Sequence, residues 1–362
     1  MPQSVFIQIG QCGNQIGYRF WDLALQEYQY YKASAEDMNS FFKMNDSSKK
    51  SGCYDSHSVK ARAILIDMEE GVVSEILNSH LKFLFDRQQL ITDVSGSGNN
   101  WAIGNKFYGL KYRNLLIELF RKEVEECDNL QCFFLLHSMG GGTGSGLGTA
   151  ALEYLCDEFP KTPSSSRFPG SLNVDINEIV MNMTPYPRLH YLIPSASPLF
   201  SFIENCKMDH MFNEIFSTHN QLFHCCPTQG TVLASALLCR GRVAMSDIHY
   251  NVERLKGSVK FIPWNKEGWK IGLCKIPHIA YSHSILMLSN TTSITKYLCS
   301  MKENFLKMYR KKAHLHHFLE VKGMEKDTFT TAYADLELLI NDYKHCELVS
   351  EASEQPRLKI KI

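Results

Sequence analysis

Three absences narrow this chain before any motif is read. No two of its twelve cysteines stand in a Cys-x-x-Cys pair, which removes the common zinc-ribbon and thioredoxin-type spacings. No apolar run approaches the roughly 20 residues that cross a bilayer, so membrane insertion is not expected. Net charge is missing too: Lys+Arg and Asp+Glu both total 38, without the basic excess that holds nucleic acid by bulk charge. The first residues, Met-Pro-Gln-Ser-Val-Phe-Ile-Gln, carry neither the basic segment nor the cleavage site of a secretory leader, so a cytoplasmic location is expected. Cys132, Cys156, Cys239, Cys274 and Cys299 lie inside apolar stretches, where reduced, buried thiols sit.

What the chain does have is glycine in one place. Residues 140–149 read Gly-Gly-Gly-Thr-Gly-Ser-Gly-Leu-Gly-Thr. The apolar run Cys132–Leu136 precedes them as a buried strand, and Leu147, Ala151 and Leu155 follow at helical spacing. Glycine between a strand and a helix lets backbone N–H groups converge beside the positive end of the helix dipole, which is a cradle for polyphosphate. No Gly-Lys-Ser/Thr follows, so it is not the common P-loop. No acid follows at the dinucleotide spacing either.

Along the first 160 residues short apolar runs alternate with helical patterns, which predicts a parallel α/β sheet. Val5–Ile9 reads as a strand, Gly10–Gln15 as a tight turn, and Ile16, Phe20 and Leu23 as one face of the helix after it. Residues 30–60 read as a long polar loop. Ala63–Ile66 is a second strand ending in Asp67-Met68-Glu69-Glu70-Gly71, and Ser95–Trp101 is another glycine-rich turn. Leu116, Phe120, Val124 and Cys127 mark a long amphipathic helix. In a parallel sheet such turns gather beyond the carboxyl ends of the strands. Asp67 and Glu69 would then stand beside a phosphate cradle, where a divalent cation must lie between like charges; Mg²⁺ held mostly through water is the natural mediator.

Beyond Pro169, Leu172–Met183 reads as a helix, and Pro185, Pro187 and Pro194 as breaks. Leu189–Ile193, Thr231–Leu238 and Ser284–Leu288 read as strands of a smaller mixed α/β domain. Two amphipathic helices close the chain, one with Leu298, Met301, Phe305 and Met308, the other with Phe329, Tyr333, Leu336, Ile340 and Tyr343. His314, His316 and His317 crowd one short stretch, but no acid or cysteine beside them completes a metal site, and a surface role is expected.

Taken together, these loops resemble those of the tubulin family. Gly140–Gly146 matches its signature without a mismatch, and Gly10–Gln15, Asp67–Glu69 and Gly98–Trp101 match its other nucleotide loops. Residues 167–173, 182–189 and 311–316 match its later domains. Phe41-Phe42, residues 95–100 and His314–His317 resemble the ε-type branch, associated with centrioles and basal bodies. The resemblance implies a parallel-sheet GTP-binding domain of tubulin/FtsZ type over 1–162, an intermediate α/β domain over 166–290, C-terminal helices over 291–350 and a tail over 351–362. It implies that Gly10, Gln11, Cys12, Gly98, Asn99, Ser138, Gly142, Thr143 and Gly144 hold GTP, with Glu69 and Asp67 on Mg²⁺. It implies head-to-tail association with other tubulins. Glu178 takes the position at which α-type chains offer a carboxylate to a neighbour's GTP; β-type chains have lysine there.

The resemblance also shows a gap. Glu158-Phe159-Pro160 closes the fourth helix of a tubulin N-terminal domain, and Arg167-Phe168-Pro169 already opens the next domain. Only Lys161–Ser166 lies between, a link of roughly 20 Å at full extension. Two strands, the loops that grip ribose and base, and the core helix have no room there. The strand at Cys132–Leu136 should therefore be a sheet edge, and binding should be weak and poorly base-selective. The basic end, Arg357-Leu358-Lys359-Ile360-Lys361-Ile362, differs from the glutamate-rich tails that motor proteins read. The leading expectation is a GTP-binding cytoskeletal protein acting at centrioles or basal bodies, with GTPase activity only beside a neighbouring subunit. The alternatives are a non-polymerising interaction module with impaired nucleotide binding and a γ-like nucleator.

Overall fold

Strand alternation decides how the first sheet is covered. The computed structural model of the protein describes residues 3–31, 38–44, 59–159, 176–184, 188–199, 208–223, 225 and 229–354. The chain divides into two units, Met1–Arg167 with Lys312–Lys326, and Phe168–Lys311 with Asp327–Ile362.

In the first unit, β1 (Gln3–Ile9) runs into α1 (Gly10–Tyr31), then β2 (Phe42–Met44), β3 (Val59–Ala61), β4 (Ala63–Asp67), α2 (Glu70–Asn78), β5 (Leu90–Thr92), α3 (Gly109–Glu125), β6 (Leu130–His137) and α4 (Gly148–Glu158). The sheet order is β5-β4-β1-β6, with all pairs parallel. Ile9 pairs with Ile66 and His137, and Asp67 with Thr92. The carboxyl ends are therefore level, and the loops after them share one edge, as the sequence predicts.

Val5, Ile7, Ile9, Ile64 and Ile66 point to one face and pack with Leu116, Phe120, Leu147, Ala151 and Leu155. Phe6 and Leu65 point to the other, against Trp21, Ala24 and Leu25. There Phe6 stacks on Phe20 at 4.5 Å and on Phe134 at 4.7 Å. Every residue of β1 and β4 is buried, whereas all of β6 but Gln131 is only half-buried. Among the described residues β6 pairs with β1 alone. It is a sheet edge, as the short link implies.

Several expectations need correction. The helix begins at Gly10 itself, not after a turn through Gln15. Its buried face is Gly13, Asn14, Gly17, Trp21, Ala24, Leu25 and Tyr28, while Ile16 and Leu23 are exposed. The reason is close approach: a Cβ on Gly13 would lie 2.1 Å from the Leu136 carbonyl oxygen, so glycine, and not Ile16 or Leu23, faces the sheet there. The stretch expected as loop holds β2, paired antiparallel with β3, and buries Phe42.

The second unit begins its described part with α5 (Ile176–Met183) and continues through β7 (Ile193–Ser197), α6 (Met208–Glu214), β8 (Val232–Gly241), α7 (Met245–Lys256), β9 (Trp269–Cys274), β10 (His283–Thr291), α8 (Thr295–Arg310), α9 (Leu315–Leu319, in the first unit) and α10 (Lys326–Glu354). Its sheet order is β7-β10-β8-β9, mixed in sense. Residues 189–192, expected as strand, are not one. The Asn290 side chain donates to the carbonyls of Leu189 and, at 2.9 Å, of Met183, binding that backbone to a side chain instead of a ladder. Pro194 stands inside β7, tolerated because β7 is the terminal strand of the sheet. In α8, Leu298 is buried, but Met301 and Met308 are exposed; Phe305 stacks on Phe329 and Tyr333 of α10.

No described helix is long and apolar enough to cross a membrane. No disulfide joins the described cysteines, and burial pushes the Cys239 thiol up to about 12. The link 161–166, the matching residues 167–173, Pro185, Pro187 and the basic end lie outside the described residues, as does the amino-terminal part of the helix expected from Leu172.

Candidate functional site

The loops after β1, β4, β5 and β6 enclose a cavity of about 580 Å³, within the range of small-ligand sites. Gln11, Cys12, Asp67, Glu69, Gly98, Asn99, Ser138, Gly142, Thr143 and Gly144 all line it. Gly10 stands directly behind: its φ is +73°, and a Cβ there would come 2.9 Å from the Gly144 nitrogen. Only glycine allows this conformation and this approach at once. Asn14 ties the first loop to the second, its side-chain amide donating to the Gly10 and Ile66 carbonyls at 3.0 and 3.1 Å.

The fourth loop is held open by hydroxyls and one imidazole. Ser138 Oγ donates to the Gly140 carbonyl at 2.7 Å, and Ser145 Oγ to that of Gly141 at 2.6 Å. His137 Nδ1 lies 3.1 Å from the Ser138 oxygen and 3.0 Å from the Gly144 oxygen. Carbonyls only accept, so Nδ1 carries a hydrogen and clamps both ends of the loop. Glycine again sets the spacing, since a Cβ on Gly142 would meet Ser97 Oγ at 2.4 Å and the Asn100 nitrogen at 2.8 Å. His137 and Gly104 are parts of this assembly that the sequence reading did not single out, and Ser97 and Gly146, inside the motifs it quoted, were not named as site residues.

The third loop carries Gly96, Gly98 and Asn99 at positive φ, Asn99 being a residue type that accepts the left-handed region. Gly96 lies against the second loop: its N–H donates to the Met68 carbonyl at 2.8 Å, and a Cβ would come 2.6 Å from Glu69 Oε1. Asn100 donates to the His317 carbonyl at 2.9 Å, which docks the histidine-rich segment beside this loop. His314 precedes α9 at φ +59°, and no described residues form a three-ligand metal cluster.

The cavity wall holds the acids Asp67, Glu69 and Glu75, and no lysine or arginine among the described residues lines it. Asp67 accepts from the Glu69 N–H at 3.3 Å, yet burial pushes its carboxyl up to about 6. A hard divalent cation satisfies two such carboxylates and supplies the positive charge the wall lacks. The residues fit Mg²⁺.

A stability prediction follows from Asp67. With a folded-state value near 6 against an ordinary 3.8, the folded chain binds more protons than the unfolded one between those values, so stability falls as pH rises through that window. The Tm of ligand-free, metal-free protein minus that of Asp67→Asn should therefore rise between pH 6.5 and 4.5. A pH-independent difference would refute it.

Glu178 belongs to α5 in the second unit, and its side chain lies outside the described residues.

Residues 3–174 match the model of the Tubulin/FtsZ family GTPase domain, and 187–303 that of the tubulin C-terminal domain. The chain belongs to the tubulin family. It is 40% identical to the tubulin epsilon chain of Homo sapiens and 39% to that of Mus musculus, over 99% of this chain and 100% of each relative. It is 30% identical to the tubulin alpha-1 chain of Saccharomyces cerevisiae, over 98% of this chain and 100% of the relative. The comparison with the human protein runs over 477 residues against the 362 of this chain. Well over a hundred positions of that comparison therefore hold no residue of this chain.

Proposed function

We propose that this tubulin-family chain is a GTP-binding structural protein of the cytoskeleton, of ε type, acting at centrioles or basal bodies. The observation that carries the nucleotide reading is the convergence of four loops on one cavity with glycine-spaced backbone and, among the described residues, no basic side chain. Backbone N–H groups of the Gly140–Gly144 loop and the start of α1 would hold the phosphates, with Gln11, Cys12, Asn99, Ser138 and Thr143 beside them. Asp67 and Glu69 would hold Mg²⁺, which when bound offsets phosphate charge. Family membership supports head-to-tail association with other tubulins, in which Glu178 would face a neighbour's nucleotide and orient water for hydrolysis.

A second reading is favoured by the positions of the relative that lack a counterpart and by β6, which among the described residues pairs with β1 alone: an interaction module whose nucleotide binding is impaired. It predicts loss of base selectivity first, because the described cavity wall is built for phosphate and cation. Equilibrium dialysis of GTP, ATP and tripolyphosphate with Mg²⁺ tests both. Guanine preference above about tenfold, an increment of about 1.4 kcal/mol, supports the GTP reading; similar affinities for all three support impaired recognition. No binding of any of them would overturn the site assignment. GTP-dependent sedimentation with another tubulin tests assembly.

A further inference from the structure

Strand β6 is the longer of the two strands that end the first sheet, with eight residues against three in β5. Natural sheets guard such edges with lysine, proline or other charge. Leu130–His137 reads Leu-Gln-Cys-Phe-Phe-Leu-Leu-His, with no proline, lysine, arginine or acid. Its one irregularity lies at the start, around Gln131; from Cys132 to His137 the register on β1 is unbroken. Phe133 and Leu135 turn to the face of α3 and α4, Phe134 and Leu136 to that of α1, and all four are only half-buried. Leu152 of α4 extends this apolar strip. Tyr154 donates to the Gly109 carbonyl of α3. Leu152 stands about 200° around the helix from it, on the opposite flank, and is 46% exposed. The residues next in sequence are unsuited to line the strand. Pro160, Pro163 and Pro169 lack the N–H that a ladder needs, and only five residues separate the last two.

We infer that the β6 edge docks a second copy of this chain, the two strands pairing antiparallel about a twofold axis normal to the sheet. Two four-stranded sheets then continue as one of eight. The edge complements itself. An axis in that direction keeps each face of the sheet on the same side in both copies, so odd residues oppose odd and even oppose even. Phe133 and Leu135 then meet the same apolar pair of the second copy, and Phe134 and Leu136 do so on the other face. A slip by one residue would set the α1 side of one copy against the α3–α4 side of the other, so register can change only in steps of two. A strand with polar residues at alternate positions would lay them against apolar side chains on one face. A strand apolar on both faces is what fits, and β6 is one. The pairing is isologous and closes at two copies, because β5 offers only Leu90–Thr92 for further growth. The inference does not rest on the nucleotide reading.

Sedimentation equilibrium of the full chain from about 1 to 100 μM, the range of a small interface, should show a reversible monomer–dimer equilibrium and no larger species. Hydrogen exchange at both ends of that range should show protection gained at alternate amides of β6, because every second N–H of an edge strand points away from its sheet. Leu135→Lys, which puts a charge into the pair, should weaken the dimer about tenfold. Leu152→Lys, at a position exposed enough to keep the fold, should weaken it about threefold. Val94→Lys, beyond the β5 edge and 79% exposed, should leave it unchanged. A chain that stays monomeric to the top of the range keeps this edge for a different partner, and the inference fails. A dimer whose new protection lies outside β6 overturns it too, as does one that Val94→Lys weakens as much as Leu152→Lys. Should Leu135→Lys lower the Tm, the exchange pattern of the unaltered chain decides.

Discussion

Replacing Gly104 by alanine should destabilise the first unit by about 3 kcal/mol, the upper end for overpacking a tight core, and abolish ligand binding at the cavity. Gly104 opens onto a crossing of two π-helical turns, Ile103–Tyr108 and Thr143–Leu147. A Cβ there would lie 2.1 Å from the Gly142 carbonyl oxygen and 3.0 Å from Gly146 Cα. Both obstacles are backbone, so no side-chain rotation relieves them. Gly146 faces back in the same way, its Cβ falling 2.3 Å from the Trp101 carbonyl oxygen. The crossing can separate only by moving the Gly140–Gly144 loop, and with it the phosphate cradle. Gly71→Ala is the control for stability: it lies in α2 with nothing near its Cβ, and alanine should raise helix stability by about 0.5–1 kcal/mol. Urea denaturation of both variants decides the matter. A Gly104→Ala protein as stable as wild-type would show that the crossing is not the constraint described.

This crossing marks where the sequence stopped being legible. The four loops were readable because glycine, amide and acid residues after apolar runs have one physical use in a parallel sheet, and the level strand ends bring Gln11, Glu69, Asn99 and Thr143 into one cavity. Gly104 was not, because its partner is a carbonyl 38 residues onward in the chain, and nothing local distinguishes it from an ordinary helical glycine. Ser97 and His137 escaped for the same reason: their meaning is in what they touch. The face of α1 was misread because aliphatic spacing selected Ile16 and Leu23, whereas close packing on β6 needs Gly13. Strand β9 was missed because its side chains are mostly half-buried and its sequence, Trp-Lys-Ile-Gly-Leu-Cys, is broken by lysine and glycine. Burial on both faces made β1 and β4 plain; partial burial hid β9.

Removal of divalent cation should reverse the sign of the Glu69→Gln effect on triphosphate affinity. The cavity offers backbone N–H groups and hydroxyls to a polyphosphate, but its formal charges among the described residues are all negative. In chelator, the wild-type chain sets the charges of Asp67 and Glu69 against those of the ligand. Like unit charges about 4 Å apart cost roughly 4 kcal/mol at an effective dielectric of 20, and less for Glu69, whose exposure admits solvent screening. Glu69→Gln should then bind the triphosphate more tightly than wild-type, by about tenfold or 1.4 kcal/mol. With millimolar Mg²⁺ the order inverts, because the glutamine has lost one hard anionic ligand while the phosphate charge is already offset. Gly96 makes the substitution informative: Glu69 Oε1 rests against its backbone, and glutamine has nearly the same shape, so packing is kept while charge is removed. Titrations of a non-hydrolysable GTP analogue with EDTA and with Mg²⁺ give the two affinities for each protein. If Glu69→Gln is weaker than wild-type in both buffers, the carboxylate acts on the ligand by some route other than a cation, and the assignment of Asp67 and Glu69 to Mg²⁺ fails.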